Sequence, residues 1–243
     1  MIPVERAGKY VFEFDDLTFE IDPQIGARIR TFALAGQNVL TGPDVDPDNW
    51  GSTFWPSPQQ RWNWPPVPEL DSQPYQVSVS DGTLVLKSNP GTRANVSVEK
   101  RVRAVRERAA IDIAYTLTNT DTVAASWAPW EISRVAAGGL TFFPTGGAAV
   151  SNSLPVQNIN KVTFYQHDAK AFGGSGQKYS ADGSEGWLAH VSGKLLFLKT
   201  FTDTPTAAQA PAPEAEIEIY AAAKYVEIEP QGPYVQLQPN QSA

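Results

Sequence analysis

Residues 110–118 read Ala-Ile-Asp-Ile-Ala-Tyr-Thr-Leu-Thr, an alternation in which apolar side chains occupy every second position. Successive side chains of a β-strand point to opposite faces of the sheet, so this period of two predicts a strand with one buried face. Residues 95–105, which precede it, are predicted to be its antiparallel partner.

Similar alternation recurs along the chain, and short turn signals separate the alternating stretches. Asp81-Gly82 is a two-residue hairpin signal between strands predicted at 75–80 and 83–87. Ser192-Gly193 separates strands predicted at 187–191 and 195–201 in the same way. Two further strands are predicted at 216–220 and 225–229, where charged and apolar residues alternate. About a dozen short strands between frequent turns favour an all-β sandwich or barrel.

The composition limits both the fold and the partners. Hydrophobic residues make up 42% of 243 residues, enough for a substantial core, and we predict one domain over residues 1–243. The net charge of -7 repels phosphate backbones, which argues against nucleic acid as a partner. The absence of cysteine excludes disulfides, thiolate metal sites and a cysteine nucleophile.

Two features bear on the compartment of the protein. No apolar run is long enough to span a bilayer, so no membrane partner is expected. Residues 1–10 lack the apolar core of a signal peptide. A cytoplasmic location fits this sequence, and a periplasmic or extracellular one fits it equally if a leader has been removed.

Two long segments, 41–72 and 138–182, show no regular alternation and are predicted to be irregular. Long loops on a β scaffold usually form a site or cover it. The first segment holds four tryptophans within fifteen residues (Trp50, Trp55, Trp62 and Trp64). Such a cluster is either a plug in the core or an apolar platform for the C–H faces of sugar rings.

Five segments occur in an order that indicates possible relatives. Residues 19–29 contain a strand, a glycine turn and a second strand, residues 51–59 form an aromatic and proline-rich loop, and residues 115–121 are a strand with an Asn turn. Residues 128–132 then read Ala-Pro-Trp-Glu-Ile, and residues 226–231 read Val-Glu-Ile-Glu-Pro-Gln. In this order the segments resemble the aldose 1-epimerase (galactose mutarotase) superfamily, in particular its uncharacterised bacterial branch, typified by the DUF4380 domain.

This resemblance implies a fold for the whole chain. Members of the superfamily are large antiparallel two-sheet β-sandwiches, the galactose mutarotase-like supersandwich. Relatives usually continue into another strand where this chain stops after Pro239, so a trimmed C-terminus is expected.

The resemblance also implies a catalytic pair. In the superfamily a Glu base removes the proton of the anomeric hydroxyl and a His acid protonates the ring oxygen. Residues 226–231 match the motif that carries the base, which implies Glu229. Residues 128–132 match the position of the His motif, which implies Glu131 in place of the acid. Both are expected to face a shared cleft lined by aromatic rings.

The remaining substrate-binding candidates surround this expected cleft. Arg61 is the nearest match to a substrate-binding arginine of the superfamily, although it is displaced by two residues. Lys199 either points into the cleft as a donor to a hydroxyl or carboxylate or is an ordinary surface lysine, and Lys178 is a second lysine to consider. The other candidates are Trp55, Trp62, Trp130, Arg134, Glu227 and His167.

Several alternatives stay open at this level. Burial between Trp127 and Trp130 would raise the pKa of Glu131 and keep it protonated, whereas pairing with Arg134 would lower that pKa and leave a sugar-binding carboxylate. Glu227 and Glu229 share one strand face, which either is solvated or lines the cleft.

We therefore predict a carbohydrate-handling protein and carry three hypotheses. It is an aldose 1-epimerase-like isomerase, a non-catalytic carbohydrate-binding module on the same fold, or a structural protein whose aromatic residues meet another protein. The expected partner is a small or polymeric carbohydrate. No cofactor is expected, and two histidines without close spacing do not indicate a metal site. The oligomeric state is left open.

Overall fold

The computed structural model describes all 243 residues, and nearly all of its regular structure is β-strand. The strands of the first half are β1 (Val4–Arg6), β2 (Lys9–Phe14), β3 (Leu17–Asp22), β4 (Arg28–Leu34), β5 (Gln37–Asn38), β6 (Ser52–Ser57), β7 (Gln76–Ser80), β8 (Thr83–Lys87), β9 (Val96–Val105) and β10 (Ala110–Asn119). Those of the second half are β11 (Ala125–Ala136), β12 (Leu140–Pro144), β13 (Ser151–Asn152), β14 (Gln157–Ile159), β15 (Val162–Gln166), β16 (Gln177–Ala181), β17 (Trp187–Ser192), β18 (Leu195–Thr200), β19 (Ile217–Ala221), β20 (Tyr225–Pro230) and β21 (Val235–Leu237).

Helical structure is limited to short pieces. One α-helix, α1 (Pro68–Asp71), has four residues. Four 3-10 turns lie at Gln59–Arg61, Arg106–Arg108, Ala169–Ala171 and Thr206–Ala208. None of these helices has the length and apolar character needed to cross a membrane.

The chain forms two compact units. The first comprises Met1–Asn38, Ser52–Pro129 and Val235–Ala243, and the second comprises Val39–Gly51 and Trp130–Tyr234. The prediction of a single domain over residues 1–243 stays a prediction.

The first unit contains two antiparallel sheets. One has the order β1-β2-β3-β4-β6, with β5 added to β4, and the other has the order β10-β9-β8-β7. Phe54 of β6 stacks on Tyr115 of β10 with ring centroids 4.3 Å apart. The buried ammonium of Lys100 on β9 donates to the carbonyls of Gly26 and Ala27 at 2.9 and 2.8 Å. These contacts close a core between the two sheets.

The second unit also contains two antiparallel sheets. Residues 130–136 of β11 begin the order β11-β20-β19-β16-β13, and the other sheet has the order β14-β15-β12-β17-β18. Phe143 of β12 packs on Tyr179 of β16 with centroids 6.2 Å apart. The alternate residues of β20, Val226 and Ile228, are fully buried.

The hairpins predicted from short turns are present. β7 and β8 pair around Asp81-Gly82, β9 pairs with β10 along its whole length, and β17 pairs with β18. The prediction of an all-β, antiparallel protein is therefore confirmed.

The prediction of an irregular segment at 138–182 is wrong. This stretch contains β12 to β16, and β15 pairs with β12 over five residues. The other long segment, 41–72, is mostly irregular as predicted, but it includes β6 and α1.

Candidate functional site

Glu229 on β20 is the centre of a buried polar cluster in the second unit. Its side chain has no solvent exposure. The indole N–H of Trp130 on β11 donates to Glu229 Oε2 at 2.7 Å, and Lys178 Nζ on β16 lies 3.5 Å from the same oxygen. Glu229 Oε1 is buried and has no hydrogen-bond partner. One carboxylate oxygen is thus held in place while the other is left to accept a hydrogen bond.

Glu218 on β19 brings a second carboxyl group to this point. It is the direct cross-strand partner of Glu229, and its Oε2 forms an ion pair with Lys178. Its Oε1 accepts hydrogen bonds from Ala215 N at 3.2 Å and from Gln231 Nε2 at 3.1 Å. We call Glu229, Glu218, Lys178 and Trp130 the Glu229 cluster.

The Lys178 ammonium lies among two carboxyl groups and an aromatic ring. It is 4.8 Å from the centroid of the Trp130 ring, a cation–π distance. Its side chain is 32% exposed, whereas those of Glu218 and Glu229 are fully buried. Lys178 is therefore the member of the cluster that meets solvent.

Burial and neighbouring charge set the ionisation of the cluster. Burial raises the pKa of Glu218 to about 8, with Lys178 opposing the shift and Glu229 adding to it. Burial lowers the pKa of Lys178, but the nearby Glu229 and Glu218 outweigh it and raise that pKa above its usual range. Burial thus favours the protonated form of Glu218, which can donate a proton, whereas the Lys178 ammonium favours its carboxylate form.

Arg134 and Glu227 form a second pair on the same face of this sheet. They are cross-strand partners on β11 and β20, and Arg134 Nε donates to Glu227 Oε1 at 2.7 Å. Arg134 is fully buried. Burial raises the pKa of Glu227 to about 7, and Arg134 opposes that shift. The strand alternation therefore brings four predicted site residues, Trp130, Arg134, Glu227 and Glu229, to one face.

Glu131 does not face Glu229, so the expected catalytic pair across a cleft is wrong. Glu131 accepts a hydrogen bond from Ser133 Oγ at 2.7 Å and forms an ion pair with Lys199. It follows Trp130 in β11, and neighbouring side chains of a strand leave opposite faces of the sheet. Trp130 contacts Glu229, so Glu131 lies on the other side. The proposal that Glu131 replaces the His acid loses its geometric basis.

Lys199 also lies on that other face, contrary to the prediction that it points into the cleft. Its ammonium donates to the Ile228 carbonyl at 2.7 Å in addition to pairing with Glu131. Burial lowers the pKa of Lys199, and Glu131 opposes this. Through these contacts Lys199 links β18 to β11 and β20 of the other sheet of the second unit.

His167 has no ring nitrogen left for a ligand, which corrects its assignment as a substrate-binding residue. Its Nδ1 accepts from the backbone N–H of Gly138 at 2.9 Å, and its Nε2 lies 2.8 Å from the Ala222 carbonyl. Because Nδ1 is the acceptor, Nε2 carries the hydrogen and donates to that carbonyl. The ring also stacks on Phe172. His167 therefore joins two chain segments.

The predicted tryptophans Trp55 and Trp62 lie in the first unit and are buried. The Trp55 indole donates to Asp71 Oδ1 at 2.8 Å, and the Trp62 indole donates to the Pro56 carbonyl at 2.8 Å. The ring of Trp64, 53% exposed, packs edge-on against Trp55. Trp55 and Trp62 therefore belong to the core of the first unit, and Trp64 is exposed beside them.

Arg61 is exposed in the first unit, and its guanidinium lies 5.0 Å from the ring centroid of Trp127. Sequence reasoning missed Arg93, whose guanidinium group donates hydrogen bonds to backbone carbonyls of the loop that contains Arg61. It donates to the carbonyls of Trp62 at 2.9 Å and Pro66 at 2.9 Å. The loop is therefore fixed by backbone contacts to an arginine from outside it.

Sequence reasoning also missed Glu218. Its signal was present in the alternation of Glu216 and Glu218 with Ile217 and Ile219. Pairing this strand antiparallel to the strand of Glu229 would have placed Glu218 beside Glu229. The contact between Glu218 and Glu229 follows only once the register of the β19–β20 hairpin is known.

Comparison with solved structures identifies the fold. A galactose mutarotase-like protein from Lactobacillus casei ATCC 334 superposes with a TM-score of 0.65 at 12% identity, covering 97% of both chains. A protein from Synechocystis sp. PCC 6803 gives 0.68 at 13% identity, covering 100% of this chain and 94% of the other. The chain is an antiparallel β-sandwich of the galactose mutarotase-like type, as its sequence predicted.

A third similar structure belongs to a chain about twice as long as this one. A TPR-domain containing protein from Parabacteroides distasonis ATCC 8503 gives a TM-score of 0.64 at 14% identity, and this chain covers only 45% of its length. No curated protein sequence matches the chain. The sequence model described as a domain of unknown function, DUF4380, matches residues 15–243.

Proposed function

The chain belongs to the DUF4380 family, and we propose that it binds a carbohydrate at the Glu229 cluster. The observation that carries this proposal is Glu229 Oε1, a buried carboxylate oxygen without a hydrogen-bond partner. Buried polar atoms are nearly always paired, and a ligand hydroxyl that donates to Glu229 Oε1 would supply this missing hydrogen bond. Carbohydrates supply such hydroxyl donors in number.

Neighbouring residues supply the other contacts that a sugar needs. After moving aside, the Lys178 ammonium would donate to a second ligand oxygen, and Trp130 would offer an aromatic ring beside the carboxylate. In the structure Lys178 covers that ring and the carboxylate. A sugar would reach Glu229 by displacing the partly exposed Lys178 side chain.

The charge of the cluster favours a neutral sugar over an acidic one. Lys178 is shared by two carboxyl groups, and a third, Glu227, is already paired with Arg134. An anionic ligand group would compete with these carboxylates for the ammonium and would be repelled by them.

Epimerase chemistry is the second candidate, and the raised pKa of Glu218 favours it. Glu229 would take the proton of the anomeric hydroxyl while the bond between the anomeric carbon and the ring oxygen breaks. Glu218, whose pKa is raised to about 8, would deliver its proton to the ring oxygen. Closure of the open-chain aldehyde on its other face would then reverse these transfers and give the other anomer.

A single set of variants tests both candidates. Calorimetric titration with a panel of neutral and acidic monosaccharides and oligosaccharides measures binding, and polarimetry measures mutarotation. We expect Glu229→Gln to weaken sugar binding at least about tenfold, because the acceptor oxygen loses its charge. Glu131→Gln makes the same chemical change on the other face and is expected to retain binding.

The outcomes separate the candidates. Binding without faster mutarotation supports a binding module, and binding with faster mutarotation that Glu229→Gln abolishes supports an epimerase. The proposal fails if no sugar of the panel binds, or if folded Glu229→Gln binds as tightly as the unaltered protein.

A further inference from the structure

One face of the β14-β15-β12-β17-β18 sheet presents apolar side chains to solvent. On the edge strand β18, Leu196 is 60% exposed and Leu198 is 50% exposed. The stacked rings of Phe142 and Phe164 and the ring of Trp187 continue this surface inward. We call this surface the outer face and define it by Leu140, Phe142, Phe164, Trp187, Leu196 and Leu198.

The strand register shows that these side chains share one side. Phe142 is the cross-strand partner of Phe164 and of Ala189, and Ala189 is the partner of Leu198. The residues between them point the other way and are buried, as Phe143 and Tyr165 are. The sheet is thus apolar on both sides, whereas a sheet with one solvated face normally carries polar residues there.

The centre of the outer face carries no charged side chain, and Glu185 lies at its margin, where it accepts a hydrogen bond from the Trp187 indole at 3.2 Å. Lys199, the charged residue of β18, points to the opposite side and pairs with Glu131. Polar residues occur at the margin, where Gln157 lies on the edge strand β14, Gln166 ends β15 and Thr200 ends β18. An apolar centre with a polar rim is the anatomy of a protein–protein contact.

We propose that the outer face binds the outer face of a second copy of this chain. The protein has a net charge of -7, so two copies repel each other through most contacts. The apolar centre of the outer face brings no like charges together when it meets itself. A two-fold contact uses the same patch on both subunits, and an uncharged apolar surface is complementary to itself.

The size of the face sets the strength of this dimer. Five strands spaced about 4.8 Å apart, with about five residues each at about 3.3 Å, give a footprint of roughly 400 Å² per copy. A standard stable interface buries about 800 Å² per partner. The dimer is therefore weak and depends on concentration.

Sedimentation equilibrium across micromolar to near-millimolar concentrations tests the proposal. We expect the mean mass to rise from 26.4 kDa and to level off at twice that value. The double variant Leu196→Glu/Leu198→Glu is expected to remain monomeric, because it opposes four carboxylates across the contact. A matched control is Leu34→Glu, which changes a leucine that is 51% exposed on β4, and it should dimerise normally.

Several results would overturn the second copy as the occupant. These are an unaltered protein that stays at 26.4 kDa, a mass that grows past the dimer without levelling, or a folded double variant that dimerises normally. Near-UV circular dichroism checks the fold of each variant. Should the double variant not fold, Leu198→Glu alone replaces it. The measurement contains no sugar, so its result is independent of the proposed carbohydrate site.

Discussion

At the scale of single residues, Arg134 and Glu227 show how this protein handles buried charge. Arg134 is fully buried and its Nε–H bond to Glu227 spans 2.7 Å. A buried ion pair adds little net stability, because removing both charges from water costs about as much as their attraction returns. Removing one partner is different, since it leaves the other charge buried alone.

We expect Arg134→Met to lower the free energy of unfolding by about 3–5 kcal/mol in urea denaturation. Glu227 would then lie buried without its guanidinium partner. The double variant Arg134→Met/Glu227→Gln removes both charges and should recover most of that loss. A double variant as unstable as the single one would show that Arg134 acts through packing and other contacts.

Four of the residues predicted from the sequence lie close together in the structure. Glu229, Trp130, Glu227 and Arg134 were predicted and do meet on one face. The prediction for Glu131 was wrong because the resemblance matches only positions along the chain. The pleat of β11 determines which face of the sheet each side chain occupies. Two neighbouring residues of a regular strand cannot both reach the same carboxylate.

At the scale of elements, the loop at residues 62–66 is held in place by hydrogen bonds from one arginine. Arg93 lies outside the loop and donates to the carbonyls of Trp62, Asn63, Pro65 and Pro66 at distances from 2.5 to 3.4 Å. Short turns on either side make their own backbone hydrogen bonds, as Trp62 N–H to Gln59 and Leu70 N–H to Val67 do. Arg93 adds side-chain donors to carbonyls of the chain between those turns.

We expect Arg93→Met to lower the free energy of unfolding by about 2 kcal/mol, because charged hydrogen bonds to carbonyls are lost. The loop should also become a site of early proteolytic cleavage. Arg103→Met is the matched control, since the Arg103 side chain is 60% exposed and pairs only on the surface with Asp112. Equal cleavage of the two variants would contradict the assigned role of Arg93.

Local pattern also explains which elements could be predicted. β7–β8 and β9–β10 are hairpins with polar and apolar residues in alternation, so both the strands and their turns were visible. β12 and β15 carry apolar residues on both faces, as Leu-Thr-Phe-Phe-Pro and Val-Thr-Phe-Tyr-Gln show. Without polar alternation, the period of two that marks a strand is weak.

At the scale of the whole molecule, buried ionisable groups make stability depend on pH. Folding raises the pKa of Glu218 from 4.5 to about 8, and burial raises that of Glu227 to about 7. The folded protein therefore holds protons that the unfolded chain has released. Burial of His190 acts in the opposite sense and lowers its pKa from 6.5 to about 4.

These shifts predict falling stability from near pH 6.5 to near pH 8. Near pH 6.5 the unfolded chain still loses a proton from His190, but the folded protein loses more protons from Glu218 and Glu227 as the pH rises through about 7 and 8. Each rise in pH across the window therefore favours unfolding. One extra proton on the folded protein lowers the free energy of unfolding by about 2 kcal/mol across this window. The melting temperature should therefore fall by about 4–8 °C. Thermal unfolding followed by circular dichroism at several pH values measures this, and a flat or rising profile would contradict it.

The two-sided use of β11 restricts how the gene for such a protein can change. Gain or loss of a single codon near Trp130 would turn the remainder of the strand over, exchanging the sides served by Ser133 and Arg134 unless a bulge absorbed the change. Replacement of one residue alters a single side and leaves the other intact. Homologous genes should therefore differ in this stretch by point changes and keep its length.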